Sequence, residues 1–247
     1  MRSLACMAML HLHALLWLSL GSPLSDSTTW LKPVLSAQEP EPARPSWQPD
    51  KPEDVLVLVQ AYYDGVQDLQ AKFEQSYWNP TYGESRKVSG KLKLKQPGKM
   101  VWDYSGKQDA DFYTDGKRLW MVEHDVKQVV ETKVDQSSEL SVATQFLFGG
   151  DRLTSSFTVK YGSDARVERW GDADHYVLEV SPKQKNSHYK GVVLVVHAAT
   201  GRVDSFVVYN TDGSSSAFTL SGVKTNRELD DDVFRFDPPR GYVVTRE

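Results

Sequence analysis

The side chains that could do chemistry are few and scattered along the chain. Downstream of position 21 the histidines are His124, His175, His188 and His197, and no two are four residues apart, as two zinc ligands on one helical face would be. The single cysteine, Cys6, lies in an N-terminal apolar run. The sequence contains no G-x-S-x-G elbow, P-loop or G-x-G-x-x-G segment. We therefore expect no catalytic residues, no metal site, no cofactor and no enzymatic activity.

Charge and composition narrow the classes of partner. The formal net charge is -4 and the sequence pI is about 5.9, so no positive excess is available for a phosphate backbone, and nucleic acid is not an expected partner. The one dense acidic run, 230–232, lacks the ligand spacing of a calcium loop and predicts a solvated turn. Aromatic residues make up 11% of the chain, with 7 Trp, which favours a large core or an apolar cavity.

The N-terminal 50 residues are predicted to lie outside the fold. Arg2 is followed by an apolar run from Leu4 to Leu20, and the small residues Ser19, Gly21 and Ser22 offer a cleavage site. This pattern predicts a signal peptide over 1–21, with an uncleaved anchor as the alternative. Six prolines among polar residues then predict a disordered linker over 22–50, before a domain over 51–247.

Hydrophobic periodicity predicts one helix followed by many strands. Val55, Val59 and Val66 recur at helical spacing, whereas from Leu69 onward apolar and polar residues alternate. Asp-Gly and Thr-Gly pairs predict tight turns at 115–116, 200–201 and 212–213. We expect antiparallel pairing of roughly ten strands in a meander or barrel. The predicted strands after the first three are Asp111–Thr114, Arg118–Glu123, Gln128–Lys133, His175–Ser181, Tyr189–His197, Val203–Tyr209, Ala217–Thr225 and Val233–Phe236.

One segment interrupts the strands. Leu140, Thr144 and Leu147 fit a short helix between 135 and 156. A helix that carries Leu140, Phe146, Leu147 and Phe148 could act as a lid over one mouth of the barrel. A helix that simply completes the core fits the pattern equally well.

The strand alternation predicts that many large apolar residues share one side of the sheet. They include Leu178, Val193, Val195, Phe206 and Phe218, either Leu119 or Trp120, and residues of the first strands. A filled core would satisfy this pattern, and so would a cavity, because a curved sheet of this size can enclose more volume than its side chains fill. The pattern alone leaves both readings open.

Four segments together resemble a known family. GKLKLKQPGKMVWDY at 90–104 resembles the strand pair G-x-L-x-x-x-R-P-x-x-F-x-W-x-Y of the periplasmic outer-membrane lipoprotein carriers, LolA. LQAKFEQ at 69–75, TDGKRLW at 114–120 and FRFDPPRG at 234–241 agree in order and spacing. The resemblance extends from about residue 52 to the C-terminus.

The resemblance implies a mainly β fold, an unclosed antiparallel β-barrel with a few short helices acting as a lid. It also implies a periplasmic carrier that takes triacylated lipoproteins from an inner-membrane ABC transporter to the outer membrane, where a LolB-like acceptor receives them if one exists. A monomer suits such a shuttle. The alternatives are an exported binder of another lipid or hydrophobic molecule, and an envelope module that binds or senses protein.

The resemblance also assigns individual residues. Positions that match the family's cavity or its border are Phe73, Leu92, Leu94, Met100, Trp102 and Trp120. Gln96 stands at the lid-latch position, where the family commonly has an Arg that bonds the lid helices in the closed state. A neutral Gln lacks the charged, forked donor of Arg, so we expect a lid that opens more easily here.

Overall fold

The computed structural model describes residues 49–106, 110–134, 153–184 and 189–246 of the 247. These residues form three α-helices, twelve strands and one 3₁₀ turn. In chain order the elements are α1 (Pro52–Asp64), β1 (Asp68–Asn79), β2 (Glu84–Lys95), β3 (Lys99–Tyr104), β4 (Ala110–Asp115), β5 (Arg118–Glu123), β6 (Gln128–Lys133), α2 (Leu153–Ser156), β7 (Phe157–Tyr161), α3 (Asp164–Trp170), β8 (His175–Pro182), β9 (Tyr189–His197), β10 (Val203–Asn210), β11 (Ser215–Thr225), the 3₁₀ turn (Asp231–Phe234) and β12 (Val243–Arg246).

All twelve strands belong to one sheet that does not close into a barrel. Their order is β12-β6-β5-β4-β3-β2-β1-β11-β10-β9-β8-β7, so β12 and β7 lie at opposite ends. Neighbours pair antiparallel except β12, which runs parallel to β6. Two meanders, β1–β6 and β7–β11, join where β1 pairs with β11 from Leu69↔Thr225 to Trp78↔Ser215. The fold is therefore the mainly β, unclosed antiparallel architecture expected from the resemblance.

Helix α1 covers one side of this sheet. Pro52 starts the helix, where its missing N–H breaks no bond, and Glu53 and Asp54 complement the positive helix end. Its buried residues Val55, Leu56, Val59 and Tyr63 belong to the main apolar cluster. The helix packs closely enough that a side chain on Gly201, whose φ is +80°, would overlap the Leu58 carbonyl. We call this side the α1 face.

The other side, the opposite face, is covered at two separate places. On one half of the sheet, Val167 and Trp170 of α3 pack on Val177, Val193 and Val207. On the other half, residues of the C-terminal segment cover β5 and β6. This second cluster comprises Trp120, Val122, Val129, Tyr113, Phe236, Tyr242 and Val244.

The predicted strands Asp111–Thr114, Arg118–Glu123, Gln128–Lys133, His175–Ser181, Tyr189–His197, Val203–Tyr209 and Ala217–Thr225 are confirmed to within two residues at each end. The strand predicted at Val233–Phe236 is wrong, because a 3₁₀ turn spans Asp231–Phe234. The Asp230 side chain accepts a hydrogen bond from the Asp232 N–H at 2.9 Å, which caps that turn, and two prolines that follow lack the N–H groups a ladder needs.

Three elements were not predicted. β7 (Phe157–Tyr161) and β12 (Val243–Arg246) are short edge strands, and α3 has no buried residue of its own that would impose a helical apolar period. The predicted lid helix with Leu140, Phe146, Leu147 and Phe148 lies outside the described residues.

Candidate functional site on the apolar α1 face

The α1 face is filled where β1–β3 meet β10 and β11. The Trp102 ring lies edge-on to Phe73 and Phe218, with ring centroids 4.8 and 5.4 Å apart, and Phe218 stacks on Phe206 at 4.7 Å. The Trp102 indole N–H points to the Met100 sulfur, 2.9 Å away. All five residues are buried. This half of the face is a packed aromatic core.

Gly90 shows how tight this packing is. The Phe73 ring lies over Gly90 on the neighbouring strand, and a β-carbon there would come within 2.6 Å of that ring. A residue with a side chain would push Phe73 away from Trp102. The glycine that opens the family-like segment at 90–104 therefore has a packing role.

The same face is more open over β4–β6. Strand register places Trp102, Phe112, Met121 and Val130 in one row across β3, β4, β5 and β6, so all four point to the α1 face. Trp102 is fully buried, whereas Phe112, Met121 and Val130 are each partly exposed. Leu119, two residues before Met121 on β5, points to the same face and is also partly exposed. Phe112 contacts the aromatic core through Tyr104, with ring centroids 6.2 Å apart. The row is a continuous apolar path from the packed core to an accessible surface, which we call the open apolar strip.

Most of the predicted cavity residues meet on the α1 face. Eight of the eleven belong to the main cluster: Phe73, Leu92, Leu94, Met100, Trp102, Leu178, Phe206 and Phe218. The structure brings them together as neighbours, and they are buried against one another and against α1. Their part in binding acyl chains stays a prediction.

Three predicted cavity residues lie on the opposite face, which corrects the expectation of one shared side. Val193 belongs to the cluster under α3, and Val195, two residues along β9, points the same way. The run Val192–Val196 is apolar at every position, so alternation could not tell its two faces apart. Trp120 also packs on the opposite face, against Phe236 with ring centroids 5.5 Å apart.

Sequence reasoning offered Leu119 as an alternative to Trp120 but missed the rest of the open apolar strip, because both faces of β5 carry large apolar side chains. Leu119, Trp120, Met121 and Val122 form an unbroken apolar run, and both faces are used, one by the C-terminal segment and one by the strip. The sequence gives no local sign of the face that Trp120 takes, because its packing partner Phe236 lies far away in the sequence. Once Trp120 is assigned to the opposite face, alternation places Leu119 and Met121 on the α1 face.

Gln96 contacts the end of α1. Its side-chain amide donates to the Val66 carbonyl at 2.9 Å and more weakly to the Tyr63 carbonyl at 3.5 Å. Tyr63 in turn accepts a hydrogen bond from the Val203 N–H through its hydroxyl, and burial raises its pKa. Gln96 thus joins the β2–β3 turn to α1 through neutral bonds, and its role as a latch stays a prediction.

Charged side chains near the β2–β3 turn also hold the C-terminal segment. The buried Asp68 carboxylate accepts the N–H groups of Arg227 and Leu229 at 2.8 and 3.3 Å. Lys95 and Lys99 both pair with Asp231 at 2.7 Å, and these contacts lower the pKa of Asp231 to about 2. These contacts hold the segment that leads to Phe236 against the start of the sheet.

Open grooves also occur on the opposite face, and the largest of those described here has a mostly polar lining. One of about 800 Å³ lies between the β1–β2 hairpin and α3 and is lined by groups such as Glu74, Lys87 and Ser89. Within 49–106, 110–134, 153–184 and 189–246, no three acidic, His or Cys side chains gather as a metal site, and no helix is long and apolar enough to span a membrane. The open apolar strip differs from this polar groove, because its partly exposed side chains are all apolar.

The chain is similar in sequence to proteins of one family. The model of a family described as outer membrane lipoprotein carrier protein LolA matches residues 64–237. The outer-membrane lipoprotein carrier protein of Cupriavidus pinatubonensis is 28% identical over 193 residues, 76% of this chain and 86% of that protein. Its counterpart in Pseudomonas aeruginosa is 27% identical over 184 residues, 74% and 83%. The crystal structure of a LolA superfamily protein from Nitrosomonas europaea has a TM-score of 0.43 and 15% identity, and the match covers 75% of this chain and 98% of that one.

Proposed function

The chain belongs to the LolA family of outer-membrane lipoprotein carriers, and from this premise we propose that it is a periplasmic shuttle for triacylated lipoproteins. In this proposal it receives them from an inner-membrane ABC transporter and releases them to the outer membrane, to a LolB-like acceptor if one is present. Binding and release are its whole activity, and no bond of the cargo is made or broken. It works as a monomer.

The observation that carries the proposal is the open apolar strip beside a packed core. Phe112, Leu119, Met121 and Val130 present a partly exposed apolar surface at one end of the sheet, continuous with Trp102. An acyl chain laid along this strip would be removed from water without displacing the aromatic core. Large aliphatic and sulfur-containing side chains adapt to a flexible chain better than a fixed polar pocket would.

The energetics suit a carrier. Each buried CH₂ group contributes about 0.8 kcal/mol, so partial burial of three acyl chains holds a lipoprotein in solution. Release requires an acceptor surface that buries the same chains at least as well. The strip supplies this non-directional attraction without groups that would react with the cargo.

Lipoprotein release from spheroplasts tests the proposal. Spheroplasts of the source organism are incubated with the purified protein, and released lipoproteins are identified by mass spectrometry of the intact complex. We expect the protein to carry triacylated lipoprotein into the medium. A Met121→Glu variant places a charge on the strip, and we expect at least tenfold less cargo, since an unpaired charge in an apolar contact is strongly unfavourable.

The matched control is Arg118→Glu on the same strand. Arg118 points to the opposite face and is exposed, so this variant should release as much lipoprotein as the wild type. Equal loss in both variants would assign the effect to β5 stability. Free lipid in place of lipoprotein would show a general lipid binder, and an empty protein would contradict carriage altogether.

A further inference from the structure

The β1–β2 hairpin extends past its neighbour β3. β1 and β2 pair along their whole length, from Asp68↔Lys95 to Asn79↔Glu84. The β2–β3 ladder stops at Gly90↔Tyr104, with one further hydrogen bond from the Ser105 N–H to the Ser89 carbonyl. Among the described strands, the stretch Glu84–Val88 therefore pairs with β1 alone. The hairpin end is a projecting ledge on that side of the sheet.

Four lysines form a cluster on the opposite face of the sheet, towards the other end of this hairpin, where β2 still pairs with β3. Lys72 of β1 lies directly across from Lys91 of β2, while Lys93 and Lys224 flank Gln70 on either side. Together with Gly222 they border a groove of about 340 Å³. Within the part of the chain that the structure describes, none of the four forms an ion pair within 4.0 Å, although Asp103 of β3 lies directly across from Lys91 and Glu74 lies two residues from Lys72. We call this set the lysine cluster.

Lys72 and Lys91 repel each other across the β1–β2 ladder, and Asp103 on the β3 side of Lys91 offsets part of this repulsion. Like charges directly opposite on antiparallel strands destabilise the pair by a few tenths of a kcal/mol or more. The chain as a whole carries a net charge of -4, so a local concentration of cations does not follow from composition. An anionic partner would remove the repulsion and gain from all four charges at once.

Aromatic side chains stand at the tip of the same hairpin. Trp78 is 44% exposed and Tyr82 is 73% exposed, and both are among the large hydrophobic residues most open to solvent. Trp78 is an even-numbered residue of β1, like Lys72, so it points to the opposite face with the lysine cluster. Trp78 lies about 20 Å along β1 from Lys72, at about 3.3 Å per residue. Exposed aromatic residues at the tip of a hairpin and cations towards its other end together favour the headgroup region of a bilayer.

We propose that the β1–β2 hairpin docks on the surface of an anionic phospholipid bilayer. The lysine cluster lies over the phosphate groups, and Trp78 and Tyr82 enter the headgroup layer. The cluster contains Lys only, which acts as a set of flexible point charges, whereas a folded acidic protein is recognised better by the forked donor of Arg. Docking leaves the α1 face and its open apolar strip free. It goes beyond carriage of lipoproteins, because the bilayer itself is bound.

Vesicle sedimentation tests the docking surface without any lipoprotein. The protein, exported to and purified from the envelope, is mixed with vesicles of phosphatidylcholine alone or with 30% phosphatidylglycerol added. We expect binding to the anionic vesicles only, and weaker binding as salt is raised. Each lysine near such a surface contributes about fivefold, so Lys72→Gln with Lys91→Gln should weaken partitioning about 25-fold.

A second pair of lysines is the matched control. Lys117 and Lys133 are exposed at the β4–β5 turn and the end of β6, and changing both to Gln alters the net charge equally. This control should bind as the wild type does, and thermal unfolding should show both variants folded. Quenching of tryptophan fluorescence by brominated lipid should fall in Trp78→Phe.

Several results would overturn the docking proposal. They are equal weakening in the two lysine pairs, binding to neutral vesicles, or no binding to anionic vesicles by the wild type. Binding to polyglutamate without binding to vesicles would assign the surface to an acidic protein instead. Because no cargo is present, failure here leaves the lipoprotein-release result unaffected.

Discussion

Two halves of one face differ in how fully they are buried, and in our proposal only the less buried half binds cargo. Where β1–β3 meet β10 and β11, the rings of Phe73, Trp102 and Phe218 pack together, and each is buried. Over β4–β6 the same row continues as Phe112 and Met121, yet these side chains remain partly exposed. One end of this face is thus a core, and in our proposal the other end is the ligand surface. A substitution in the first half should affect folding, and one in the second half should affect cargo.

Trp102→Ala should have the largest effect. Removing a fully buried indole in contact with two aromatic rings should lower the free energy of unfolding by roughly 3–5 kcal/mol, from lost burial and from the cavity left behind. Urea unfolding followed by circular dichroism measures it. A loss below about 1 kcal/mol would mean that this half is loosely filled, and the contrast between the two halves would disappear.

Met121→Ala should affect lipoprotein binding more than it affects stability. Because Met121 is partly exposed, we expect a stability loss of about 1 kcal/mol or less, together with several-fold weaker lipoprotein binding. Urea unfolding and the spheroplast release assay measure the two effects on the same samples. Weakened stability with unchanged cargo would place Met121 with the core.

Substitutions of Gln96, which contacts the end of α1, should have a smaller effect on stability than Trp102→Ala. Gln96→Ala removes the bond to the Val66 carbonyl and should destabilise the protein by about 1 kcal/mol. Gln96→Arg offers a charged donor to the same carbonyls, so we expect slower release of bound lipoprotein to an acceptor. Release rates of the three proteins, measured with labelled cargo, decide this. An Arg variant with unchanged release would rule out a latch at this position.

A histidine far from the open apolar strip provides a pH-dependent comparison. His175 contacts the carboxylates of Asp172 at 2.6 Å and Asp204 at 3.1 Å, while Arg202 pairs with Asp204, and the His197 ring lies 5.6 Å away. Burial lowers the pKa of His175, but the hydrogen bonds to the two carboxylates outweigh it and hold the pKa above 6.5. Protonated His175 therefore stabilises the fold.

The sign of the pH effect follows from this raised pKa. The stabilisation is fully present below the unfolded pKa of about 6.5 and is lost as pH rises through the higher folded pKa. His175→Gln should cost about 0.5–1 kcal/mol near pH 5.5 and less near pH 9. Urea unfolding at both pH values measures it, and cargo binding should stay unchanged. A larger cost at high pH would contradict the ion-pair account.

The positions of the strands could be predicted from the sequence more fully than the side of the sheet to which each residue points. Alternation and Gly-containing turns located most strands, because local patterns determine them. The side taken by Trp120 and Val193 depends on distant partners, Phe236 and α3, that no local pattern reports. The same limit applies to the turn at Asp231–Phe234, where capping by Asp230 outweighs an apolar strand-like sequence.

Site-specific photocrosslinking in the envelope tests the central claim most directly. A photoreactive residue at Met121 points to the α1 face, and one at Arg118 on the same strand points to the opposite face. The account predicts crosslinks to acylated lipoprotein from position 121 and none from position 118. Crosslinks from position 118, or from neither position while lipoprotein is still carried, would show that the open apolar strip is not where the cargo lies.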